Sequence, residues 1–455
     1  MHTRHHHIVA AVLAATFILA SVHVAAAQPD SPPPDQPEAN GTNDANGAND
    51  LDQFMDDEGI RQPAAPASDS SSQPLAEANL GGGVKAQLLE LSADFEAAAG
   101  WSSIKNPDGL EGLEGGDHDP NRLGFDIQNI ELVISGAVDP FFYAQAIVVL
   151  NITLEGETNL ELEEAFIRST SLPGGLEIKA GQFLTQFGRL NASHPHTWEF
   201  IDQAVINTRL FGPDGMRGQG VQLSWTAPLP WFAGLTATMQ NSQGETMASF
   251  RASEEFFDER PIGGRTFAEQ SVNGLADFVY ALRLLNGFNL GDEVAMQIGV
   301  SGAWGPNATG SGGETSMAGV DLVIKWNPLN QRKGTPFLTF QTEVMARRYL
   351  CDSSQAGDLR DWGFYAQVFV AVSEHVAFGV RYDYANGQAD GATDAFRDTR
   401  QRGSLVVQWR FSEFARIRLQ YNLDDAPHLS PDPRTVHAVW FGFEMLIGKH
   451  PAHSF

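Results

Sequence analysis

The densest grouping of metal-ligating residue types in the chain is His194-Pro-His196, which Glu199 and Asp202 follow closely. Two histidines with a carboxylate form a ligand set that suits Zn²⁺. A proline separates the two histidines, however, and no second pair of matching spacing occurs, so only the distant His118 could extend the set. The sequence therefore predicts no bound metal and no cofactor. His194 and His196 remain the candidates for a metal site, and the alternative is that both face solvent in a loop.

Catalytic residues are harder to find than metal ligands. A serine hydrolase needs its nucleophile beside a histidine base, and neither His375, His428 nor His437 shows such a partner spacing. The formal net charge of -27 disfavours nucleic-acid binding, because phosphates attract a basic surface. The sequence therefore predicts neither an enzyme nor a nucleic-acid-binding protein.

From residue 85 to the carboxyl end, apolar and polar residues alternate with a period of two. One example is the stretch 294–301, in which Val294, Met296, Ile298 and Val300 alternate with Ala295, Gln297, Gly299 and Ser301. This alternation is typical of strands with one apolar face. Beyond the amino-terminal stretch, no run of eighteen apolar residues predicts a transmembrane helix. The single cysteine, Cys351, excludes an internal disulfide.

Short turns alternate with mostly longer connections between these strands. The turns are predicted at 137–141, 171–175, 227–231, 289–293, 327–334, 372–375 and 411–414, and the other connections at 97–121, 154–159, 188–217, 242–275, 304–316, 348–360, 386–401 and 423–434. Together they join sixteen strands. Outer-membrane barrels combine an even strand number with short periplasmic turns and longer external loops. We therefore expect an all-β transmembrane antiparallel barrel of about 16 strands in a Gram-negative outer membrane, in contact with lipid and lipopolysaccharide, with both termini in the periplasm. An exported β-sandwich or propeller is the alternative, but the sequence has no helices that would cover the apolar strand faces.

The amino-terminal region divides into two further parts. Residues 1–27 have a charged start, an apolar run and a small-residue end at Ala25-Ala26-Ala27, which predicts a secretory signal peptide. Residues 28–84 are acidic and rich in Pro, Asn and Asp, which predicts a disordered periplasmic tail. A plain linker and a tether to peptidoglycan are both open for this tail. Residues 85–455 form the predicted barrel domain.

The parity of each strand assigns charged residues to the inside of the barrel. The predicted lumen-facing residues are Lys179, Arg283, Asp321, Lys325, Glu343, Arg381, Asp383, Arg410, Arg416 and Arg418. The opposite parity carries aromatic residues near strand ends, where membrane barrels place their aromatic girdles. A lumen with charges of both signs would stay hydrated and would have a transverse electric field.

The connection 188–217 is unusually apolar for a loop. Trp198, Ile201, Val205 and Leu210 recur close to helical spacing, which predicts a helix from Thr197 to Leu210 with Thr197 as its N-cap. Packing of this segment against the inner barrel wall would bury these side chains. We expect the segment to form a pore constriction, with four charged residues facing the opening: Glu199, Asp202, Arg209 and Arg217. The alternative is a loop that only seals the barrel mouth.

The stretch LEIKAGQFLTQFGRLNASHPHTWEFID, at 176–202, resembles the strand-and-loop signature of the phosphate-selective porin O and P superfamily. The matching positions are Gly181, Gln182, Phe183, Phe187, Gly188 and Phe200. The resemblance implies a sixteen-stranded channel that assembles as a homotrimer. It does not carry over phosphate selectivity, because the acidic loops of this chain concentrate cations and repel anions.

The expected function is therefore passive diffusion of small hydrophilic solutes or ions, with a weak cation preference or selectivity for a neutral solute. A structural or adhesive barrel that transports nothing is the alternative. The chain also resembles sequences described as zinc-regulated outer-membrane receptors coupled to TonB. Such receptors need twenty-two strands around a plug, and this sequence has neither the length nor a folded domain for one.

Overall fold

The computed structural model describes residues 76–79 and 85–448, with short gaps at 107–108, 111, 114, 153–155, 260, 330–334, 356, 390–393 and 430–433. Its strands are β1 (Ala76–Asn79), β2 (Lys85–Ser102), β3 (Gly124–Asp139), β4 (Phe142–Ile152), β5 (Thr158–Ser169), β6 (Leu176–Leu184), β7 (Arg217–Thr226), β8 (Phe232–Asn241), β9 (Phe278–Asn289), β10 (Val294–Pro306), β11 (Glu314–Trp326), β12 (Phe337–Leu350), β13 (Asp358–Ala371), β14 (Val376–Ala389), β15 (Arg400–Ser412), β16 (Ala415–Asp425) and β17 (Thr435–Gly448). The predicted signal peptide and most of the predicted tail lie outside the described residues.

Strands β2 to β17 form one closed antiparallel barrel. Each strand pairs with its neighbour in the chain, and β17 pairs with β2, so that Ala438 lies opposite Ser102 and Gly448 opposite Ser92. The prediction of sixteen strands is confirmed. The short strand β1 pairs with the beginning of β2, although it falls within the region 28–84 that the sequence assigns to the tail. Closure pairs the backbone groups of every barrel strand on both sides, so no strand of the barrel is left at an open edge.

The two ends of the barrel differ in the length of their connections. All seven short turns occur where the sequence predicts them, for example between β3 and β4, between β9 and β10 and between β13 and β14. We call this the turn end. The eight other connections lie at the opposite end, which we call the loop end. The longest are residues 185–216 and 242–277.

Side chains on the outer face of the barrel are apolar and exposed. In β15, Leu405, Val407 and Trp409 are exposed, whereas the intervening Ser404, Val406 and Gln408 are buried. Exposed aromatic residues lie near both ends of the barrel: Trp225, Trp326, Trp409 and Phe411 near the turn end, and Trp101, Phe125, Trp304 and Trp362 near the loop end. An apolar band between two aromatic girdles is typical of barrels that cross a membrane.

Helices are short and belong to the connections. Within the described residues, α-helices with given bounds are α1 (Val205–Phe211) and α2 (Glu254–Glu259). Single 3₁₀ turns occur at Pro173–Gly175, Leu190–Ala192, Pro195–Thr197, Ile262–Gly264, Leu275–Asp277, Ala395–Arg397 and Pro427–Leu429. Among the described residues, no helix combines the length and the apolar character that crossing a membrane would require.

Candidate functional site within the barrel

Residues 185–216, which we call the inner segment, fold into the barrel. Trp198, Val205, Ile206 and Leu210 of this segment belong to the largest buried apolar cluster, together with inward-facing residues of β9 to β14: Val279, Ala281, Ala303, Met317, Met345, Tyr365 and Ala385. Phe200 packs with Phe369 and Val406, and Ile201 with Trp440. The segment thus contacts the inner face from β9 round to β17. Apolar burial against the wall accounts for its inward path.

The helix within the inner segment is shorter than predicted. The predicted start at Thr197 is wrong, because residues 195–197 form a 3₁₀ turn and the Thr197 hydroxyl donates to the carbonyl of His194 (2.7 Å) instead of capping a helix. Helix α1 begins at Val205, whose N–H donates to Asp383 Oδ1 on β14 (3.1 Å). A carboxylate on the barrel wall therefore satisfies a free N–H at the start of the helix.

The beginning of the inner segment is held by Glu343 on β12. The N–H groups of Arg189 and Leu190 donate to its two carboxylate oxygens at 3.0 and 2.9 Å, and the Tyr365 hydroxyl donates to the same group at 2.6 Å. Gly188 makes this turn in the left-handed region, at φ 63°. A side chain at position 188 would overlap the Glu343 carboxylate. The glycine of the sequence signature therefore has a geometric reason in this chain.

Successive inward-facing residues of β16 bind the middle of the segment. Arg416 donates to the carbonyl of His196 (2.6 Å), and Arg418 donates to the carbonyls of Trp198 (3.0 Å) and Phe200 (3.3 Å). Gln420 accepts the Ile201 N–H at 2.8 Å. The spacing of two along β16 thus matches the course of residues 196–201, and backbone groups of the segment find partners inside the barrel.

Asp202 binds four side chains of the barrel wall. Its carboxylate lies 2.6 Å from Arg381 and 2.8 Å from Arg402, and it accepts hydrogen bonds from Gln420 and Asn422, each at 2.6 Å. Both arginines also contact Asp383. We call Arg381, Arg400, Arg402, Arg416 and Arg418 the arginine patch; they lie on the adjacent strands β14, β15 and β16.

Acidic residues gather on the inner face of β2, β3 and β5. These residues, which we call the acidic patch, are Asp94, Glu96, Glu131, Glu163 and Glu164, and all are buried. The inner segment presents two histidines to them. His194 Nδ1 lies 3.1 Å from Glu163 and 3.5 Å from Glu131, and His196 Nδ1 lies 3.4 Å from Glu131. The two imidazole rings are stacked, with centroids 5.7 Å apart.

The four predicted constriction residues lie at separate places. Glu199 is half-buried and accepts a hydrogen bond from Gln367 at 3.2 Å. Asp202, Arg209 and Arg217 are buried. Arg209 donates to the carbonyls of residues 397 and 398, and Arg217 contacts carboxylates of residues 161, 163 and 214. The structure therefore does not bring the four together, and their role at a constriction stays a prediction.

The ten residues predicted to face the lumen lie on the inward face of their strands. Several form buried pairs, such as Arg283 with Asp321 (2.7 Å) and Arg416 with Glu444 (2.5 Å). The two lysines lie over aromatic rings, Lys179 over Phe166 at 4.6 Å from the ring centroid and Lys325 over a ring of β12 at 5.3 Å. Arg410 faces inward near the turn end and is buried. The charged interior is thus densely paired.

Burial and charge shift the pKa values of acids and bases in the connections. Burial and the charge of Asp202 raise the pKa of Asp119, which accepts the Gln203 N–H, to about 7. Burial would raise the pKa of Asp202 itself, but Arg402 and Arg381 outweigh that effect and lower it. Burial likewise works to lower the pKa of His194, whereas Glu131 and Glu163 raise it well above its usual range. The segment therefore carries an ionised carboxylate at one place and a favoured imidazolium at another.

The grouping of His194 and His196 with Glu199 and Asp202, suggested by their closeness in sequence, does not form. The structure instead places the histidines beside Glu131, Glu163 and Glu164, which lie far away in sequence. The run Glu161-Leu-Glu-Glu164 is the available signal, because it breaks the strict alternation of β5 and places two consecutive acids at a register shift.

Comparisons with known proteins place this barrel among known folds. No family model matches the chain. An uncharacterized protein of Aquifex aeolicus (strain VF5) is 28% identical over 367 residues, which cover 76% of this chain and 73% of the relative. Among solved structures, the outer-membrane channel DcaP of Acinetobacter baumannii matches with a TM-score of 0.50 and 10% identity, over 79% of this chain and 97% of that chain. An anion-selective porin from Comamonas acidovorans matches with a TM-score of 0.48 and 8% identity, over 79% and 99% of the two chains.

The likeness to DcaP establishes a shared barrel fold. At 10% identity, this likeness gives no information about the transported solute or about the residues that select the solute. The resemblance of 176–202 to the phosphate-selective porins stays a prediction, as does the homotrimer that it implies.

Proposed function

We propose that this chain is an outer-membrane channel of the porin type, through which small hydrophilic solutes diffuse. The observation that carries the proposal is the closed barrel with an apolar outer face, a charged inner face and a segment fastened across its interior. DcaP, which shares the fold, is itself described as an outer membrane channel.

The outer face of the barrel fits contact with lipid, whereas the inner face fits contact with water. Exposed side chains such as Val380, Leu405 and Val407 follow one another around the outside, and a soluble protein rarely exposes a continuous apolar surface of this kind. Lipid and lipopolysaccharide would cover that surface. The inner face holds arginines and carboxylates, which stay ionised most readily where water reaches them.

We further propose that the inner segment narrows the path. Of the predicted constriction residues, Glu199 is the one that keeps partial exposure, whereas Asp202, Arg209 and Arg217 would hold the segment in place. A carboxylate at the narrow part favours cations. The net charge of -27 acts in the same direction.

Planar lipid bilayers test the proposal directly. Purified full-length protein should give discrete conductance steps, and a KCl gradient should give a zero-current potential of the sign expected for K⁺ preference. Deletion of residues 194–210 should raise the single-channel conductance and should admit larger polyethylene glycols. The variant Asp425→Asn, which removes an exposed ion pair with Arg434 at the loop end, is the control and should conduct as the wild type does. Conductance that the deletion leaves unchanged would reject the constriction.

One observation favours a barrel that transports nothing. Three connections fill part of the interior: Leu113 packs with Leu429 at the loop end, and Phe250 packs against the inner segment. A structural or adhesive barrel would give no current in the wild type, and current would appear only after the deletion of 194–210. This outcome would replace the channel proposal with the structural one.

A further inference from the structure

We propose that the inner segment and the acidic patch form a binding site for a divalent transition-metal cation of the Zn²⁺ type. The ligands would be His194 from the segment, Glu131 from β3 and Glu163 from β5. One ligand atom from each of these residues lies within 4.8 Å of the other two. An imidazole with two carboxylates is a donor set that Zn²⁺ and neighbouring transition metals accept.

The distances between these atoms are those expected of ligands around one shared cation. Ligand atoms about 2.0–2.1 Å from a tetrahedral Zn²⁺ lie roughly 3.3–3.5 Å from one another. His194 Nδ1 lies 3.1 Å from Glu163 and 3.5 Å from Glu131, and His196 Nδ1 lies 3.4 Å from Glu131. Donors that converge at these separations can therefore enclose one cation of this size.

Buried atoms without hydrogen-bond partners supply a second, independent observation. Both carboxylate oxygens of Asp94, which is 0% exposed, have no hydrogen-bond partner, and one of them lies 4.0 Å from His196 Nδ1. Glu163 Oε2 and His194 Nδ1 are likewise inaccessible to solvent, and they lie 3.1 Å from one another. Buried carboxylate oxygens in this condition are costly unless a cation or a donor satisfies them.

The second nitrogen of His194 is oriented as in many metal sites. A histidine that binds a metal through one ring nitrogen commonly presents the other to a carboxylate, which fixes the ring. His194 Nε2 lies 3.4 Å from Glu164 Oε2, while Glu164 Oε1 accepts the Leu184 N–H at 2.8 Å. Glu164 would therefore position the imidazole without binding the cation. His196, stacked on His194, would be a fourth ligand.

A cation here would join the inner segment to the opposite side of the barrel. The arginine patch holds residues 196–202, whereas the metal site would fasten residue 194 to β3 and β5. The cation would thus fix the 3₁₀ turn at Pro195–Thr197 relative to the wall.

Isothermal titration of the full-length protein in detergent, after chelator treatment and dialysis, tests the site with ZnCl₂ alone as the probe. We expect one tight equivalent in the wild type, and loss of that equivalent in His194→Gln and in Glu163→Gln. The positioning variant Glu164→Gln should weaken binding by roughly 10- to 100-fold. His437→Gln is the matched control, because His437 contacts Tyr421 outside the site and should leave the titration unchanged. The protein is purified from outer membranes after removal of the predicted signal peptide, which contains every histidine before residue 28.

Co²⁺ gives a second readout that does not depend on affinity alone. Its visible absorption spectrum should report nitrogen and oxygen ligands in the wild type, and the bands should change in His194→Gln. Three results would overturn the proposal: no Zn²⁺ binding in the wild type, equal binding in the wild type and the ligand variants, or equal affinity for Mg²⁺ and Ca²⁺. The last would mean an unselective acidic cluster. Circular dichroism in the β-sheet region verifies that each variant keeps its barrel.

Discussion

The substitution Asp202→Asn should release the inner segment from the barrel wall. The carboxylate contacts two arginines and accepts two amide hydrogen bonds, all within 2.6–2.8 Å, and it is 1% exposed. Removing the charge leaves Arg381 and Arg402 with Asp383 as their remaining shared anion. Breaking one side of a buried ion pair typically costs about 3–5 kcal/mol, which should appear in the free energy of segment opening.

Hydrogen exchange followed by mass spectrometry measures that free energy. A change of about 3–5 kcal/mol corresponds to roughly 10²- to 5 × 10³-fold faster exchange of peptides covering residues 198–211, provided that opening is local. Peptides from β9 to β13 should keep their protection and serve as an internal reference. Glu199→Gln is the matched control, since Glu199 accepts one hydrogen bond from Gln367 and should change exchange by less than about tenfold. If Asp202→Asn leaves protection of the segment within about threefold of wild type, Asp202 does not anchor it.

Two further predictions concern the same segment. Because the pKa of Asp119 is raised to about 7, the folded state binds the proton of this carboxyl more tightly than the unfolded state does. Protection of the Gln203 amide against hydrogen exchange, corrected for the intrinsic exchange rate, should therefore fall as pH rises from about 5 to 8. The variant Asp119→Asn should remove this pH dependence. A slope that persists in the variant would assign it to another group. Gly188→Ala should lower the free energy of unfolding by at least about 1–2 kcal/mol, because a left-handed backbone disfavours a side chain and the new methyl group would displace Glu343. Gly274→Ala is the control, because nothing lies within 4 Å of the added methyl group and the variant should be neutral. Differential scanning calorimetry measures both variants.

The barrel itself could be predicted from the sequence because its structure is encoded locally. In a β-strand, alternate residues face opposite sides, so the parity of β10 alone assigns Met296 and Ile298 to the outside and Gln297 and Ser301 to the inside. Short turns mark one end of the barrel and need no knowledge of distant residues. Every one of the seven predicted turns and eight other connections therefore corresponds to a connection of the structure.

The partners of the inner segment could not be predicted, because barrel closure brings them together. Asp202 contacts Arg402, which lies 200 positions later in the chain, and His194 contacts Glu131, which lies 63 positions earlier. No local pattern in the sequence indicates either pairing. The error in the helix has the same origin. Local spacing favoured a start at Thr197, but Asp383 on the wall supplies the acceptor for the first N–H of α1 at Val205.

The course of the inner segment follows from the separation of charge on the barrel wall. Its two histidines lie beside the acidic patch on β2, β3 and β5, and eight residues after His194 its one buried carboxylate lies between arginines of β14 and β15. A segment that crossed the barrel in the opposite direction would place Asp202 among carboxylates and the imidazoles among guanidinium groups, and each such contact would be repulsive. Apolar packing drives the segment inward, whereas the two charged patches determine its direction. The transverse field that orients the segment would act equally on any charged solute passing it.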